Sequence, residues 1–467
     1  MSLYKDYAEQ YFDLGLKPTC ISHLKTKYNI SENNPEKSPS HSWRRWQVRN
    51  PDKNEILSLQ WNAANSIGTV LGYFNRCIDI DNCNDISILH KILNLLRLPV
   101  DYEWAVKTPN GFHIHIFSDS LLFASNEQLN DGVLSLLPNI ENKNKFSRIE
   151  LRWANHAVLP PTILNGKNYS FINADFPSDK PKWVNLFFVF RVICELCGNS
   201  KNGLNFGNFE INNMIFQISA SSDSPSEIIA VKGALSDDSV KKATTDVGYI
   251  ISDKIDCQLL VGVFDDYSNW NSRIFDLPLF IDIETTGLIN NPLDYKNYPH
   301  IIQLCHSYGK NGTIKNHYIK PEEFTISKEI ESLTGITNSL LINDGVLIND
   351  ALNFNGKNIY NPIIGHNIEF DLSVIDAEYL RILEKQKLTY NNNLLRDGSQ
   401  VFCTMKKYNQ IFGGKYPKLK EMYENLFQDD IPDGIHNAKI DLEILIDCFY
   451  LMYLYGYISY NKEKGFF

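Results

Sequence analysis

Long apolar segments are missing from this chain of 467 residues. The longest apolar stretch lies near residues 184–192, and it is interrupted by Asn185 and Arg191. It is shorter than the run of about 18 apolar residues that indicates a membrane-spanning helix. The first ten residues are charged and lack the apolar core of a secretory signal. We therefore expect a cytoplasmic protein without a membrane partner.

Paired cysteine motifs and phosphate-binding loops are also scarce. The nine cysteines are scattered along the chain, which is typical of proteins from a reducing compartment. Cys194 and Cys197 form one CxxC motif, but no second pair follows at the spacing of a zinc ribbon. The motif therefore predicts an ordinary helix with two thiols. No GxxxxGK(S/T) loop occurs, so no built-in NTP-driven motor is expected.

An excess of positive charge is absent as well. The chain has 45 Lys and Arg residues against 55 Asp and Glu residues, which gives a formal net charge of −10. An acidic chain is still compatible with a local basic groove, because charge acts locally at a binding surface. The length is about three times that of a common single domain. A hydrophobic fraction of 43% is sufficient for sizeable cores.

The most informative segment runs from residue 279 to residue 288. Its apolar residues predict a buried strand that carries Asp282 and Glu284 two positions apart. Because side chains alternate between the faces of a strand, both carboxylates are expected on one face. Burying two carboxylates within an apolar strand is unfavourable unless a cation compensates their negative charge. Divalent cations prefer such oxygen ligands, so the segment indicates a metal site.

Two later segments complete a three-part pattern. Asp371 ends the sequence GHNIEFD, and His436 precedes Asp441 by five positions. Asp-x-Glu, then Asp, then His with Asp five residues later resembles the DEDDh family of 3′-to-5′ exonucleases, in the RNase H-like superfamily. The resemblance spans roughly residues 275–455 and includes a TGIT turn at residues 334–337.

This resemblance implies a fold and a chemistry for the C-terminal half. The implied fold is an RNase H-like α/β domain with a mixed sheet. Two Mg²⁺ or Mn²⁺ ions would be held for phosphodiester hydrolysis by four carboxylates, which are those of Asp282, Glu284, Asp371 and Asp441. His436 would act as the general base for the attacking water, because an imidazole titrates near neutral pH.

A second set of paired acids lies in the N-terminal half. Asp79 and Asp81 are two positions apart in a strand-like run. Farther along, residues 148–153 alternate between apolar and polar side chains and place Glu150 and Arg152 on one strand face. The N-terminal half therefore also offers carboxylates that are placed on predicted strands.

Two histidines lie between these acids in the sequence. After a turn that ends at Gly111, residues 112–116 alternate strictly, so His113 and His115 are expected on one strand face. The order of acid pair, strand histidine and third acid resembles the primase-polymerase branch of the archaeo-eukaryotic primase superfamily. The resemblance covers about residues 1–180 and implies a primase-type domain with a mixed sheet.

The second resemblance implies roles for five residues. Asp79, Asp81 and Glu150 would hold Mg²⁺ or Mn²⁺, because nucleotidyl transfer needs carboxylates that hold metal ions against a triphosphate. His113 would contact the phosphates of the incoming nucleotide. Arg152 would assist from the strand face that it shares with Glu150.

The N-terminal segment departs from its family pattern at two positions. Asn110 stands where a second Gly commonly precedes the histidine, and Glu150 stands where Asp is the commoner third acid. Glu150 reaches one methylene farther than Asp would. His115 is a rival for the role of His113, but position relative to Gly111 favours His113.

Together these features predict α/β and α+β architecture in three parts: a primase-polymerase domain at 1–200, a connector or accessory region at 201–272 and an exonuclease domain at 273–467. The connector contains strand-like pieces at 228–231, 247–251 and 259–263, after a turn at 198–203.

The predicted function is that of a DNA primase-polymerase fused to a 3′-to-5′ exonuclease, with proofreading as the suggested purpose of the fusion. The expected partners are single-stranded DNA templates, primer 3′ ends, nucleoside triphosphates and a separate helicase. Two alternatives remain open. In one, the N-terminal half is only a nucleic-acid-binding module beside the exonuclease. In the other, the chain is a non-enzymatic replication or defence adaptor.

Overall fold

The computed structural model of this protein describes most of the chain. The described residues are 3–22, 25–29, 37–118, 129–164, 166–184, 186–197, 205–211, 214–220, 228–231, 278–310, 312–352, 362–387, 400–432, 436–458, 460–461 and 465–466. The turn predicted at 198–203 and the strands predicted at 247–251 and 259–263 lie outside these residues. The strand predicted at 228–231 is confirmed.

The chain divides into two compact units. The N-terminal unit comprises Met1–Ser272 together with Leu451–Tyr457, and the C-terminal unit comprises Arg273–Tyr450 together with Ile458–Phe467. The three-part boundaries expected from the sequence stay a proposal, because much of the connector lies outside the described residues.

The N-terminal unit contains helices and strands in the following order. The helices are α1 (Leu3–Asp13), α2 (Lys53–Leu57), α3 (Ile86–Leu95) and α4 (Leu186–Leu196). The strands are β1 (Pro18–Ile21), β2 (Ser66–Val70), β3 (Asn75–Asp81), β4 (Ala105–Lys107), β5 (Gly111–Phe117), β6 (Leu129–Asn130), β7 (Val133–Leu136), β8 (Arg148–Arg152), β9 (His156–Leu159), β10 (Ile163–Leu164), β11 (Lys167–Asn168), β12 (Ser170–Phe171), β13 (Asn205–Ile211), β14 (Met214–Ala220) and β15 (Ile228–Val231).

A seven-stranded sheet organises the N-terminal unit, with strand order β12-β4-β5-β3-β8-β7-β6. Every pair of neighbouring strands in this sheet is antiparallel. The prediction of a mixed sheet is therefore wrong for this unit as far as the described strands extend. The physical reason is that short turns, such as those between β4 and β5 and between β6 and β7, reverse the chain direction.

Apolar side chains fill the interior around this sheet. A smaller antiparallel sheet, β1-β2-β9, also contributes residues to this core. Trp61, Trp104 and Trp153 are all buried. α3 begins at the cap residue Asp85, whose side chain accepts a hydrogen bond from the backbone N–H of Ser87 at 2.9 Å. The strands that carry the candidate acids also contribute buried residues to this core.

The C-terminal unit alternates between strands and helices. Its strands are β16 (Leu279–Thr285), β17 (Ile301–Tyr308), β18 (Lys315–Tyr318), β19 (Ile363–Gly365), β20 (Val401–Cys403), β21 (Tyr460–Asn461) and β22 (Gly465–Phe466). Its helices are α5 (Lys328–Thr334), α6 (Asn338–Asp344), α7 (Ile348–Ala351), α8 (Ile368–Lys385), α9 (Thr404–Phe412), α10 (Leu419–Phe427) and α11 (Ala438–Leu454).

A five-stranded sheet forms the centre of this unit, with strand order β18-β17-β16-β19-β20. β16 pairs antiparallel with β17 and parallel with β19, so the predicted mixed sheet is confirmed. The TGIT segment separates two helices. Gly335 ends α5 at a φ of +70°, and the hydroxyl of Thr337 accepts a hydrogen bond from the N–H of Leu340 at the start of α6.

Within the described residues, no helix combines the length and the apolar character that crossing a membrane would require.

The central position of β16 generates a stability prediction. Ile281 is fully buried, whereas Leu293 is 94% exposed. We expect Ile281→Ala to lower the free energy of unfolding by about 2–5 kcal/mol through lost burial and a cavity. Leu293→Ala should change it by no more than about 0.5 kcal/mol. Equilibrium denaturant titration measures both values, and equal effects of the two substitutions would contradict the placement of β16.

Candidate active sites

The four acids predicted in the C-terminal half lie on three elements. Asp282 and Glu284 are two positions apart on β16, so they share a strand face. Asp371 and Asp441 lie in the first turns of α8 and α11. Side-chain oxygens of Asp282, Glu284 and Asp441 lie within 4.8 Å of one another. Asp371 lies close enough to this group for its charge to raise the pKa of Asp282. We call these four residues the acid cluster.

Burial raises the pKa of every member of the acid cluster, and repulsion between carboxylates adds to this effect at Asp282, Glu284 and Asp371. The pKa of Asp282 is raised by burial first and then by the charges of Asp371, Asp441 and Glu284. Burial and the charge of Asp441 raise the pKa of Glu284 to about 7. Burial raises the pKa of Asp371 to about 8, and it also raises the pKa of Asp441. In the absence of a cation, Asp371 therefore retains its proton at neutral pH, and Glu284 is partly protonated there.

The acid cluster fits a divalent cation. Carboxylate oxygens are the ligands that Mg²⁺ and Mn²⁺ prefer, and a bound cation would reverse the raised pKa values. The backbone N–H groups of Ile283 and Asp371 donate to the Asp371 carboxylate and lower its pKa. These hydrogen bonds also orient that carboxylate.

His436 is exposed and lies two positions before the first residue of α11. Its backbone is in the left-handed region, with a φ of +67°. Its N–H donates a hydrogen bond to Oδ2 of Asp441 at 3.3 Å, and this contact lowers the pKa of Asp441. The backbone of His436 is thus attached to the acid cluster, while the role of its imidazole as a general base stays a prediction.

Gln303 is a site residue for which the sequence analysis assigned no role. It is fully buried on β17, opposite Glu284 in the strand register. Its Oε1 accepts a hydrogen bond from the backbone N–H of Ala438 at 3.1 Å. Its Nε2 donates to Oδ1 of Asn437 at 3.3 Å. Gln303 therefore fixes the start of the helix that carries Asp441. The sequence signal that could have indicated this role was the polar amide side chain of Gln303 inside an apolar strand.

Three neighbouring strands bring the N-terminal candidates together. Asp79 on β3 lies opposite His113 on β5 and opposite Glu150 on β8. Asp81 lies two positions farther along β3, opposite Arg148. Side chains at these positions share one face of the sheet. The predicted residues are therefore neighbours in the fold.

Arginines lie between these acids. Nε of Arg148 is 2.5 Å from Oδ2 of Asp81 and 3.2 Å from Oε1 of Glu150. Nη2 of Arg152 is 2.7 Å from Oε2 of Glu150 and 3.2 Å from Oδ2 of Asp79. Within the described part of the chain, the three acids do not form a group of ligand atoms within 4.8 Å. Their role as metal ligands stays a prediction, and guanidinium groups supply the positive charge between them.

Charge pairing outweighs burial at Asp79. Burial raises the pKa of Asp79, but His113, Arg152 and Arg148 lower it further, to about 2. Burial lowers the pKa of Arg152, while the charges of Asp79 and Glu150 raise it above its ordinary value. Asp79 is therefore ionised at neutral pH, and the direction of its pKa shift is opposite to that of the acid cluster.

These acids and arginines line a pocket of about 730 Å³ in the N-terminal unit. The volume is within the range of small-molecule and cofactor sites. His113 lines the pocket, whereas His115 is buried and is not a lining residue. Lys37 lies at the pocket as well, and its backbone oxygen is 2.9 Å from Nε2 of His156. The pocket thus combines acids with cationic side chains.

Comparisons with known proteins match the C-terminal half. A family model described as Exonuclease (RNase_T) matches residues 279–449. The chain is 30% identical over 203 residues to DNA polymerase III subunit epsilon of Aquifex aeolicus (strain VF5). The matched region covers 40% of this chain and 90% of that protein. It is 25% identical over 177 residues to the subunit of the same name from Pasteurella multocida (strain Pm70), with coverage of 37% and 67%.

A solved structure of exonuclease X in complex with 5′ overhanging duplex DNA is 20% identical. The matched region covers 40% of the present chain and 96% of the exonuclease X chain, with a TM-score of 0.29.

The family assignment rests on the family model and on the relative from Aquifex aeolicus. The match to this relative covers nine-tenths of the relative's own length. The mixed five-stranded sheet and its flanking helices are the corresponding RNase H-like fold. Through this C-terminal domain, the chain belongs to the exonuclease family (RNase_T) of the DEDDh type.

Proposed function

We propose that the C-terminal unit is a metal-dependent exonuclease that removes nucleotides from the 3′ ends of DNA. The observation that carries this proposal is the acid cluster, in which four buried or half-buried carboxylates repel one another. Such an arrangement is stable at neutral pH only with protons or a cation. The names of the two polymerase subunits similar to this chain support DNA as the substrate class.

The residues of the acid cluster have separable tasks in the proposed hydrolysis. Asp282, Glu284, Asp371 and Asp441 would hold divalent ions. Bound ions would stabilise the negative charge that develops on the phosphoryl and leaving oxygens. His436 would accept the proton of the attacking water, so that hydroxide adds to phosphorus as the bond to the 3′ oxygen of the remaining strand breaks. Gln303 would keep Asp441 in position through the start of α11.

We further propose that the N-terminal pocket binds a nucleoside triphosphate and acts as a primase-polymerase site. The supporting observation is its lining by three acids together with Arg148, Arg152, His113 and Lys37. Phosphate oxygens compete well for guanidinium donors. A triphosphate that draws Arg148 away would leave Asp81 and Glu150 available to hold Mg²⁺ or Mn²⁺.

A tether between the two sites favours proofreading. It raises the local concentration of the exonuclease at a newly made 3′ end. Replication of duplex DNA would require a separate helicase. The alternative of an N-terminal binding module predicts shortening of a primer without extension. The adaptor alternative predicts neither activity.

A primer assay assigns the activities to the two units. A 5′-labelled primer annealed to a longer template is incubated with Mg²⁺ or Mn²⁺, with and without dNTPs. We expect shortening without dNTPs and lengthening with them. Asp441→Asn should reduce shortening by more than the roughly 10–100-fold effect of losing an outer-shell partner, with lengthening retained. Asp79→Asn should instead reduce lengthening, with shortening retained.

Asp344→Asn is the matched control, because Asp344 is an exposed acid of the C-terminal unit outside the acid cluster. It should leave both reactions unchanged. Full shortening activity in Asp441→Asn would refute the exonuclease proposal. Shortening without any lengthening by the wild type would refute the polymerase proposal alone.

The contacts of Gln303 generate a second prediction. Gln303→Leu keeps a similar volume but leaves the N–H of Ala438 without its acceptor. We expect a drop of about 10–100-fold in kcat for shortening and a higher Mn²⁺ concentration for half-maximal rate. Asn316→Ala is the control, since Asn316 accepts a hydrogen bond from Gln303 at 2.9 Å but does not belong to α11. Unchanged kinetics in Gln303→Leu would contradict the positioning role.

The raised pKa values predict how stability depends on pH. Between the ordinary pKa of a carboxyl group and about 8, the metal-free folded state binds more protons than the unfolded state. Stability in EDTA should therefore fall as pH rises from about 5 to about 8. Mn²⁺ should raise the midpoint of thermal unfolding more at pH 8 than at pH 5.5, because metal binding requires deprotonated ligands.

Asp282→Asn removes one of the repelling charges and tests this explanation. The variant should lose less stability between pH 5 and pH 8 in EDTA than the wild type. It should also gain less from Mn²⁺. A wild type whose metal-free stability rises over this range would contradict the sign of the effect.

A further inference from the structure

A group of nitrogen and sulfur donors lies on the same strands as the N-terminal acids. Cys77 lies opposite His115 in the register of β3 and β5, two positions away from the pair of Asp79 and His113. One ligand atom from each of Cys77, His113 and His115 lies within 4.8 Å of the others. All three residues are buried, and Cys77 is fully inaccessible. Two histidines at i and i+2 of one strand and a cysteine on the next strand thus converge on one point.

Several nitrogens of this group lack hydrogen-bond partners. Within the described residues, neither ring nitrogen of His115 has a partner, and Nδ1 of His113 has none. His115 is 1% exposed and His113 is 7% exposed. Burying a polar group without a hydrogen-bond partner is unfavourable. A ligand bound at this point would satisfy the lone pairs that now have no partner.

We propose that Cys77, His113 and His115 bind a borderline-soft divalent cation of the zinc class. A thiolate with two imidazoles is a donor set that suits Zn²⁺ or Co²⁺, whereas Mg²⁺ and Mn²⁺ prefer oxygen ligands. The site is therefore distinct in chemistry from the acid cluster of the C-terminal unit. Binding replaces the proton of the Cys77 thiol, which leaves to solvent as the sulfur–metal bond forms.

Asp79 supports the assignment from outside the donor group. Its Oδ1 is 3.4 Å from Nε2 of His113. A carboxylate that pairs with one nitrogen of a histidine commonly fixes the ring so that the other nitrogen can bind a metal. The Nδ1 of His113 is the nitrogen without a partner. The cation would therefore anchor His113 and leave its Nε2 directed at Asp79, on the floor of the pocket.

Metal analysis of the full chain tests this proposal. The chain is stripped with EDTA, dialysed, and titrated with Zn²⁺ and Co²⁺, and bound metal is counted by mass spectrometry. We expect one tightly bound Zn²⁺ per chain. Co²⁺ should produce the near-ultraviolet band of thiolate-to-cobalt charge transfer. Cys77→Ser and His115→Asn should each weaken binding by more than about 100-fold, beyond the usual effect of an outer-shell change.

Two controls separate this site from others. Cys83→Ser removes another buried cysteine of the same unit and should leave binding intact. The double variant Asp282→Asn, Asp441→Asn disables the acid cluster and should also retain the tight Zn²⁺. Absence of stoichiometric Zn²⁺ in the wild type would overturn the proposal. So would bound Co²⁺ without a thiolate band, a readout that does not depend on whether any variant folds.

Discussion

Mutual repulsion among four carboxylates is the constraint on which the C-terminal unit depends. β16 fixes two of them on one strand face, and the first turns of α8 and α11 bring Asp371 and Asp441 against that face. Burial raises the pKa of all four carboxyl groups, and repulsion raises it further at Asp282, Glu284 and Asp371. The fold therefore holds these groups where only protons or a divalent cation can neutralise them. Gln303 maintains this arrangement from the neighbouring strand.

In the N-terminal unit, the charge of the acids is compensated by cationic side chains. Arg148 and Arg152 neutralise its acids, and His113 pairs with Asp79. The pKa of Asp79 is consequently low, whereas the acids of the C-terminal unit have raised values. One site is thus prepared for a cation alone. The other holds acids and cationic groups together, which suits a ligand that carries its own negative charge, such as a triphosphate.

The sequence predicted the features that depend on local periodicity. The i and i+2 spacing correctly placed Asp282 with Glu284, and the alternation of residues 112–116 correctly predicted the strand that carries His113. Features that depend on long-range register were not predicted. The arginine contacts in the N-terminal pocket require β3 to lie between β5 and β8. The hydrogen bond from Ala438 to Gln303 joins residues 135 positions apart, and the antiparallel order of the seven-stranded sheet was mistaken for a mixed one.

The most direct test of this account is a calorimetric count of protons released when Mn²⁺ binds. Titrations at pH 7 in buffers of different ionisation enthalpy give that count. The account predicts that binding to the wild type releases protons from the acid cluster, that the number falls by pH 9, and that Asp441→Asn reduces it. Tight Mn²⁺ binding without proton release, or release that is unaltered in Asp441→Asn, would contradict the central role assigned to repulsion.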